Sequence, residues 1–565
     1  MPKIEVNRDI FYSQVGKKLT PDELVDILEC AKGELDEIDD ASGVLKIELN
    51  DTNRPDLWST MGLARQLACY RGEKRKAYGF FSTQAKQQKN EKKKIIVDKN
   101  LKNIRPFIAA FVATGPKIDD AHLIDLIQSQ EKLCGNYGSK RKTIAMGVYR
   151  ENIISYPIQY SAADPDKTMF VPLEFDRELS LREICEQHPK GIEFGLIVKD
   201  FPRYPFLTDA NGEVLSFPPI INSAKLGAVK VGDEKLFVEL TGTDIDTLLL
   251  ACSVVACDLA DAGYSIEPVT VVYPYDTPYG KEITTPFYFQ KEIQLNIEDA
   301  IKLLGDVISV DEAAKAIERM GNPVRIDKNS IILAPPEFRN DFMHPVDIIE
   351  EIVMGKGLKA FTPVMPKDFT VGRLSPQEEF SRKAREIMTG LGFQEMIYNY
   401  LGSKKDFIEK MKIPGTDVIE ILNPMTENYE IVRNSILPNL LMSESVSANA
   451  VYPHRIFESG KIARKDSTEN YGSKTENHLA FLVAESEVGF NEASALVSGL
   501  FFYMGKEYTL APLEDPRFIG GRSARIIFGN KEVGLMGEIH PEILEAWNIV
   551  MPCIAVEVNL DLIRG

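Results

Sequence analysis

A chain of 565 residues is too long to close around one hydrophobic core, and at roughly 150 residues per domain it divides into about three to five. Two stretches mark the breaks. A polar, lysine-rich run occupies 82–94, and VVYPYDTPYGKEITTP carries prolines at 274, 278 and 286, a density of turn formers that reads as a domain boundary. The expected organisation is an α/β N-terminal domain over 1–80, a large domain over 95–280, a small one over 286–365 and a last module over 366–565. Strand-like alternation and helical periodicity occur in all of them, so the expected class is α+β.

Local signals support those divisions. Thr20 to Glu23 form a capping box ahead of Leu24, Ile27, Leu28 and Ala31 at helical spacing, and 44–49 alternate as a strand. In the large domain TIAMGVY and KLFVEL alternate as strands, with helices expected near 120–133 and 247–262. In the small domain NIEDAIKLLG and VDEAAKAIERMG read as helices and NSIILAPP as a strand before a further helix, an order that resembles a winged-helix arrangement. Ser375 to Glu378 form another capping box, opening a helix that Gly392 closes, and strands are expected at 451–463, 478–483, 523–528 and 553–560. A capped helix followed by an antiparallel sheet fits a class II synthetase core.

A formal net charge of −18 excludes a protein that coats nucleic acid non-specifically. The basic stretch at 71–94 reads either as a solvated linker or as a phosphate-contacting arm. No apolar run reaches the roughly 20 residues of a membrane-spanning helix, and MPKIEVNRDIFYSQVG lacks the apolar centre of a secretory leader, so a cytoplasmic protein without a membrane partner is expected. Seven scattered cysteines without a CxxC pair point to reduced thiols, and six dispersed histidines offer no zinc-ligand spacing.

The most distinctive segment is RNDFMHPVDIIEE, residues 339–351. Pro345 suits a first helical position, which puts Asp347, Glu350 and Glu351 on one face at i, i+3 and i+4. With Asp341 just upstream, four hard oxygen donors are placed to converge as Mg²⁺ prefers. The alternative is a first-turn acid favoured by the helix dipole beside solvated glutamates. In the large domain, VLSFPPIINS sets Pro218 and Pro219 ahead of Asn222 and Ser223. LFVELTGTD places Glu239, Thr241 and Thr243 on one strand face, with Asp244 beyond Gly242. Those groups form either a pocket wall or a solvated strand face whose Asp244 caps the next helix.

These segments, taken in order with NRPDLWSTMGLARQL, EKLCGNYGSKRKTIAMGVY, FIGGRSARI and VGLMGEIHPEILEAW, closely resemble the phenylalanyl-tRNA synthetase β-subunit family, in its archaeal and eukaryotic form rather than the longer bacterial one. The resemblance implies an α₂β₂ heterotetramer that charges tRNA(Phe) using ATP and Mg²⁺ at a site on the α subunit. This chain would then contribute a B3/B4-like editing domain that hydrolyses misacylated tyrosyl-tRNA(Phe), a B5-like domain and an inactive class II catalytic-like module. The same resemblance implies that Asn222, Ser223, Glu239, Thr241, Thr243 and Asp244 line the editing pocket, and that Asp341, Asp347, Glu350 and Glu351 hold Mg²⁺ at a subunit interface. Independently, RIFESGKIAR offers Arg455 and Glu458 as a partial echo of a phosphate-holding strand, while GLMGEIHPEILEAW ends in a helix without arginine. ATP chemistry by this chain alone is therefore not expected. A free-standing aminoacyl-tRNA deacylase and a scaffold without activity are the alternatives.

Overall fold

The computed structural model describes residues 2–84 and 90–565, so the centre of the lysine-rich run lies outside the described residues. The chain forms two compact units, Met1–Val364 and Met365–Gly565, of mixed α and β structure.

The first unit begins with an antiparallel sheet whose central strand, Val44–Leu49, lies between Lys3–Asn7 and Gly33–Asp39. Alternation buries Ile4, Val6, Leu45, Ile47 and Leu49, with Leu63, Ala64 and Leu67 of the helix Thr60–Tyr70 in the same core. The expected capping box forms: Thr20 Oγ1 accepts from the Glu23 N–H at 3.3 Å and Glu23 accepts from the Thr20 N–H at 2.9 Å.

Among the described residues the largest sheet has ten strands. From one edge they run Ile221–Asn222, Val214–Phe217, Tyr204–Thr208, Ile158–Ala163, Lys94–Val97, Ser265–Val272, Phe107–Thr114, Lys235–Gly242 and Ile144–Arg150, with Glu282–Thr285 pairing beside Ser265–Val272. Lys235–Gly242 is buried along nearly its whole length between two antiparallel neighbours. The helix Ile245–Asp261 belongs to the same core, which explains its almost continuous apolar sequence. The proline-dense segment is not this domain's exit. It is a hairpin, with Val272 opposite Glu282 and Thr277 Oγ1 donating to the Gly280 carbonyl at 2.6 Å, so the sheet extends through Thr285. Proline serves a hairpin turn as readily as a linker, because both need a backbone freed from ladder donors.

The small region pairs a three-stranded antiparallel sheet, ordered Ile293–Asn296, Ser330–Leu333, Val324–Asp327, with helices Ile297–Leu304, Val310–Arg319 and Pro345–Lys356. Their shared core includes Leu295, Ile317, Ile331, Ile348 and Ile352.

In the second unit a seven-stranded sheet runs Gln394–Glu395, His454–Lys465, Ser473–Ala484, Cys553–Asn559, Lys531–Ile539, Phe518–Phe528, Thr509–Pro512. All pairs are antiparallel except the first. Lys531–Ile539 is an inner strand that no expected element covered. The expected box at Ser375 is half formed: Ser375 caps the Glu378 N–H at 3.1 Å, while the Glu378 carboxylate turns to Arg382 and Arg385. Among the described residues all seven cysteines are free, and no helix is long and apolar enough to cross a membrane.

Candidate functional site

A cavity of about 390 Å³ lies in the large domain between the helix Asp120–Lys132, the sheet and the segment 216–229. Its apolar walls include Leu126, Ile127, Met146, Val148 and Phe217. Glu239 reaches it from the buried strand, and Asn222 from the edge strand.

The geometry around Glu239 depends on a glycine. In the sheet register Glu239 stands opposite Gly147, and Tyr149 follows two residues later on the same face. The Tyr149 hydroxyl lies 2.9 Å from Glu239 Oε1 and 3.2 Å from Asn222 Oδ1, so its single proton serves one acceptor at a time. A Cβ on Gly147 would stand 2.2 Å from the Tyr149 hydroxyl and 2.7 Å from Glu239 Oε1, so the phenol and the carboxyl meet only because that side chain is missing. Gly227 does the same for Asn222, whose Cβ would lie 2.3 Å from an added methyl. Glu239 is 3% exposed, and its Oε2 has no hydrogen-bond partner. Burial pushes its carboxyl up to about 7, against the opposing pull of the Tyr149 hydroxyl and Arg105. The cavity thus presents a protonatable carboxyl with one free oxygen, able to pair with a ligand hydroxyl in either protonation state.

Arg141 stands at the same cavity on strained backbone. Ser139, Lys140 and Arg141 have φ of 50°, 54° and 65°. The Lys140 and Arg141 N–H groups hold that conformation by donating to the carbonyls of Gly135 and Cys134, each at 2.8 Å. Arg141 Nη1 then donates to the carbonyls of Pro219 (3.1 Å) and Ile220 (2.9 Å), fixing the wall that carries Asn222.

Of the six expected pocket residues, the structure brings Asn222 and Glu239 to the cavity. Ser223 bridges to Pro172 just ahead of a turn: its hydroxyl donates to the Val214 carbonyl at 2.5 Å and accepts from the Leu226 N–H at 3.2 Å. Thr241 is fully buried, accepting at Oγ1 from Arg105 Nε at 2.9 Å. Thr243 lies beyond the strand end and is exposed, so the expected continuous polar face stops short of it. Asp244 caps the helix Ile245–Asp261, accepting from the Thr247 N–H at 2.8 Å. Tyr149, Gly147, Gly227 and Arg141 were not singled out from the sequence. The available signal was Gly147, a glycine inside the alternating run TIAMGVY, where close approach of another group is the usual reason.

The acidic segment does start a helix at Pro345, as its sequence predicts. Its four carboxylates, however, do not form one donor set. Asp347 Oδ2 accepts from the Met343 and His344 N–H groups, each at 2.7 Å, and so builds the helix start. Asp341 is chelated by Arg339 (3.0 and 2.5 Å), and Glu351 accepts from Arg339 at 2.8 Å and from Asn322 at 2.6 Å. Glu350 accepts from Lys32 Nζ at 2.6 Å. Burial alone would raise the Asp341 carboxyl, but Arg339 and Arg54 hold it down to about 2. Repulsion that the sequence left to a metal is thus met by Arg339, a residue of the same motif. Asp341, Glu350 and Glu351 line a small polar cavity with Arg54, which is itself paired to Asp56 at 2.9 and 2.8 Å, so the RPD and RNDF motifs meet in space. Among the described residues no three carboxylate, imidazole or thiol groups are placed to hold a metal ion, and Mg²⁺ does not fit these side chains as they stand.

In the second unit Arg455 pairs with Glu492 at 3.0 Å, and Glu458 is locked to the fully buried Arg433 at 2.8 and 2.9 Å. Arg455 is thus held by an ion pair within the unit, and Glu458 serves a buried ion pair.

Comparison with known proteins covers nearly the whole chain. Residues 1–73 match the Phe-tRNA synthetase beta subunit B1 domain, 293–358 the tRNA synthetase B5 domain, and 362–560 the phenylalanyl tRNA synthetase beta chain CLM domain. The phenylalanine–tRNA ligase beta subunit of Borrelia hermsii is 48% identical over 566 residues, covering 100% of both chains, and that of Borreliella burgdorferi strain ZS7 is 48% identical over 569 residues, covering 99% of each. The crystal structure of an N-terminal fragment of the Pyrococcus horikoshii phenylalanyl-tRNA synthetase beta subunit superposes with a TM-score of 0.58 at 35% identity, covering 63% of this chain and 99% of the fragment. The two full-length relatives are bacterial, which does not support the archaeal and eukaryotic assignment expected from the motifs. Identity of this extent along the full length places the chain in the phenylalanine–tRNA ligase beta subunit family.

Proposed function

We propose that this chain is the β subunit of a cytoplasmic phenylalanine–tRNA ligase, an α₂β₂ complex in which the α subunit charges tRNA(Phe) with ATP and Mg²⁺ while this chain hydrolyses misacylated tyrosyl-tRNA(Phe). The observation that carries the editing half is the Glu239 carboxyl, which lines a cavity large enough for an aromatic side chain and has one buried oxygen without a hydrogen-bond partner. Glu239 and Asn222 receive the phenol of tyrosine; phenylalanine leaves that oxygen unpaired. Water then attacks the ester carbonyl, the bond to the terminal ribose oxygen breaks, and that oxygen leaves with a proton. Glu239 and Asn222 thus serve selection of the phenol, and no lining residue is assigned as the base for the attacking water.

The second unit is a synthetase-like module that serves assembly. Full-length similarity to named ligase beta subunits supports this over the free-standing deacylase, which has no use for such a module. In the assembled complex Asp341, Asp347, Glu350 and Glu351 hold Mg²⁺ together with the partner. That part rests on the resemblance and on three of the four carboxylates lining one cavity, and it requires Lys32 to leave Glu350, Arg339 to release Asp341 and Glu351, and Asp347 to give up the Met343 and His344 N–H groups.

Phenylalanine-dependent ATP–pyrophosphate exchange, measured on the chain alone and with the α subunit, tests the assembly. Exchange in the mixture only is expected, and exchange by the chain alone refutes it. For editing, Glu239→Ala in the full complex abolishes tyrosyl-tRNA(Phe) hydrolysis and leaves phenylalanine charging intact; undiminished hydrolysis refutes the assignment.

A further inference from the structure

The second unit contains a larger cavity, about 760 Å³, that the proposed activity does not use. It lies on the hairpin His454–Lys465 and Ser473–Ala484 and the neighbouring strand Cys553–Asn559. The register places Ile462 opposite Glu476, Gly460 opposite His478 and His478 opposite Asn559, so Arg464, Glu476, His478, Glu557 and Asn559 share one face of the sheet.

Acceptors dominate its floor. His478 Nδ1 lies 2.8 Å from Glu557 Oε1, and Ser435 Oγ donates to Glu557 Oε2 at 2.5 Å. Burial would raise the Glu557 carboxyl, but His478 and Ser435 keep it at about 2; His478 and Lys474 do the same for Glu476. Both carboxylates are therefore charged at neutral pH. Six carboxylates line the cavity against three arginines; Arg517 is already spent on Asp515 at 2.9 and 2.7 Å and Arg525 on Glu532 at 3.3 Å, while Lys474 reaches one oxygen of Glu476 at 3.1 Å and leaves the other, Oε2, toward His478.

Two buried polar atoms on this wall lack a hydrogen-bond partner: Oδ1 of Asn434, which is 5% exposed, and Nε2 of His478, which is 6% exposed. Glu476 Oε2 stands 3.8 Å from that nitrogen, beyond hydrogen-bond reach. Unpaired buried polar atoms cost free energy unless something fills them. Leu513, Val533, Leu535 and Leu562 supply an apolar wall. Arg464, whose side chain is 44% exposed, lies 3.9 Å from Asp417 and donates to the Asn434 carbonyl at 3.4 Å, a long contact.

We propose that this cavity binds a small molecule carrying a primary ammonium group on an apolar body, its N–H donors directed to Asn434 Oδ1 and the Glu476 carboxylate. Excess negative charge selects the cation, and the unpartnered acceptor selects a donor. Arg464 additionally accommodates a carboxylate next to the ammonium group, so a zwitterionic amino acid fits as well as a simple amine.

Isothermal titration of the full chain with phenethylamine, L-phenylalanine and 3-phenylpropionate tests this, because the three share a ring and differ only in charge. Saturable binding of the first two and none of the third is expected. Glu476→Gln and Asn434→Ala should each weaken it about tenfold or more, while Glu239→Gln, which alters the other cavity, leaves it unchanged. Equal binding of 3-phenylpropionate, no binding of either amine up to about 10 mM, or binding that survives both second-unit substitutions overturns the proposal. Binding lost in Glu239→Gln but not in Glu476→Gln assigns the ligand to the first unit and also overturns it. Circular dichroism of each variant separates lost binding from lost folding, and the Asn434 variant decides the matter if the Glu476 variant does not fold.

Discussion

Replacing Glu239 by glutamine removes a carboxyl that the fold tolerates best when protonated. Burial pushes it up to about 7, whereas the same group in an unfolded chain titrates near 4.5. Between those values the folded protein keeps a proton that the unfolded chain has released, so stability falls as pH rises through the window and is fully recovered below about 4.5. At about 1.4 kcal/mol for each pH unit of the window, the penalty approaches about 3.5 kcal/mol, or about two and a half powers of ten in an opening equilibrium, well above pH 7. Glutamine keeps an oxygen for the Tyr149 hydroxyl and never ionises, so it lifts the penalty. The two units preclude a single two-state analysis of the whole chain, so the suitable assay is amide hydrogen exchange in Lys235–Gly242, corrected for intrinsic rates, at about pH 5 and about pH 8. Wild type should lose up to about 3 kcal/mol of protection between the two pH values, and Glu239→Gln should lose almost none while matching wild type at the lower pH. A variant as pH-sensitive as wild type, or less stable at about pH 8, refutes the account.

Other perturbations follow from the same contacts. Arg339→Met leaves Asp341 and Glu351 buried without their cation and should cost about 3–5 kcal/mol, read as an earlier thermal transition of the first unit; an unchanged transition refutes the ion-pair network. Gly147→Ala drives a methyl into the Tyr149 hydroxyl and Glu239, with an expected cost of about 1–3 kcal/mol and a large loss of tyrosyl-tRNA hydrolysis; full activity would refute the close approach. Asp244→Ala removes only a helix cap, so about 1 kcal/mol of stability should go while hydrolysis stays within about twofold of wild type, and loss of hydrolysis in the folded variant would return Asp244 to the site.

What the sequence disclosed follows from the range of its signals. Capping boxes and alternation act over a few residues, so the helix after Thr20 and the strands KLFVEL and TIAMGVY were legible. The hairpin at 272–282 was not, because prolines mark a turn without stating whether the chain returns to the same sheet. The pocket was half legible for a similar reason. Glu239 and Asn222 sit in recognisable segments, but Tyr149 and Gly147 join Glu239 through a cross-strand register some 90 residues away in sequence, which no local pattern encodes. The acidic helix was legible as a helix but not in the partners of its carboxylates. Spacing put three carboxylates on one face, yet Lys32 and Asn322 reach Glu350 and Glu351 from distant parts of the chain, and Arg339 sits in the motif without any pattern to show where it turns.

The tyrosine-selecting role makes one demand on Tyr149 that a purely structural role does not. Its hydroxyl engages Oε1 of Glu239, which leaves Oε2 as the carboxyl oxygen without a hydrogen-bond partner. Tyr149→Phe frees both oxygens, and the carboxyl loses the contact that fixes its plane. Tyrosine still finds an acceptor, so its hydrolysis should fall modestly. Phenylalanine now meets a carboxyl free to turn away, so the cost of leaving an oxygen unpaired, about 1–3 kcal/mol, shrinks. The ratio of tyrosyl- to phenylalanyl-tRNA hydrolysis should therefore drop about tenfold or more, with the drop coming chiefly from faster loss of correctly charged tRNA. If Tyr149 serves only the core, both rates fall together and the ratio holds, and that result would remove Tyr149 from the selecting machinery.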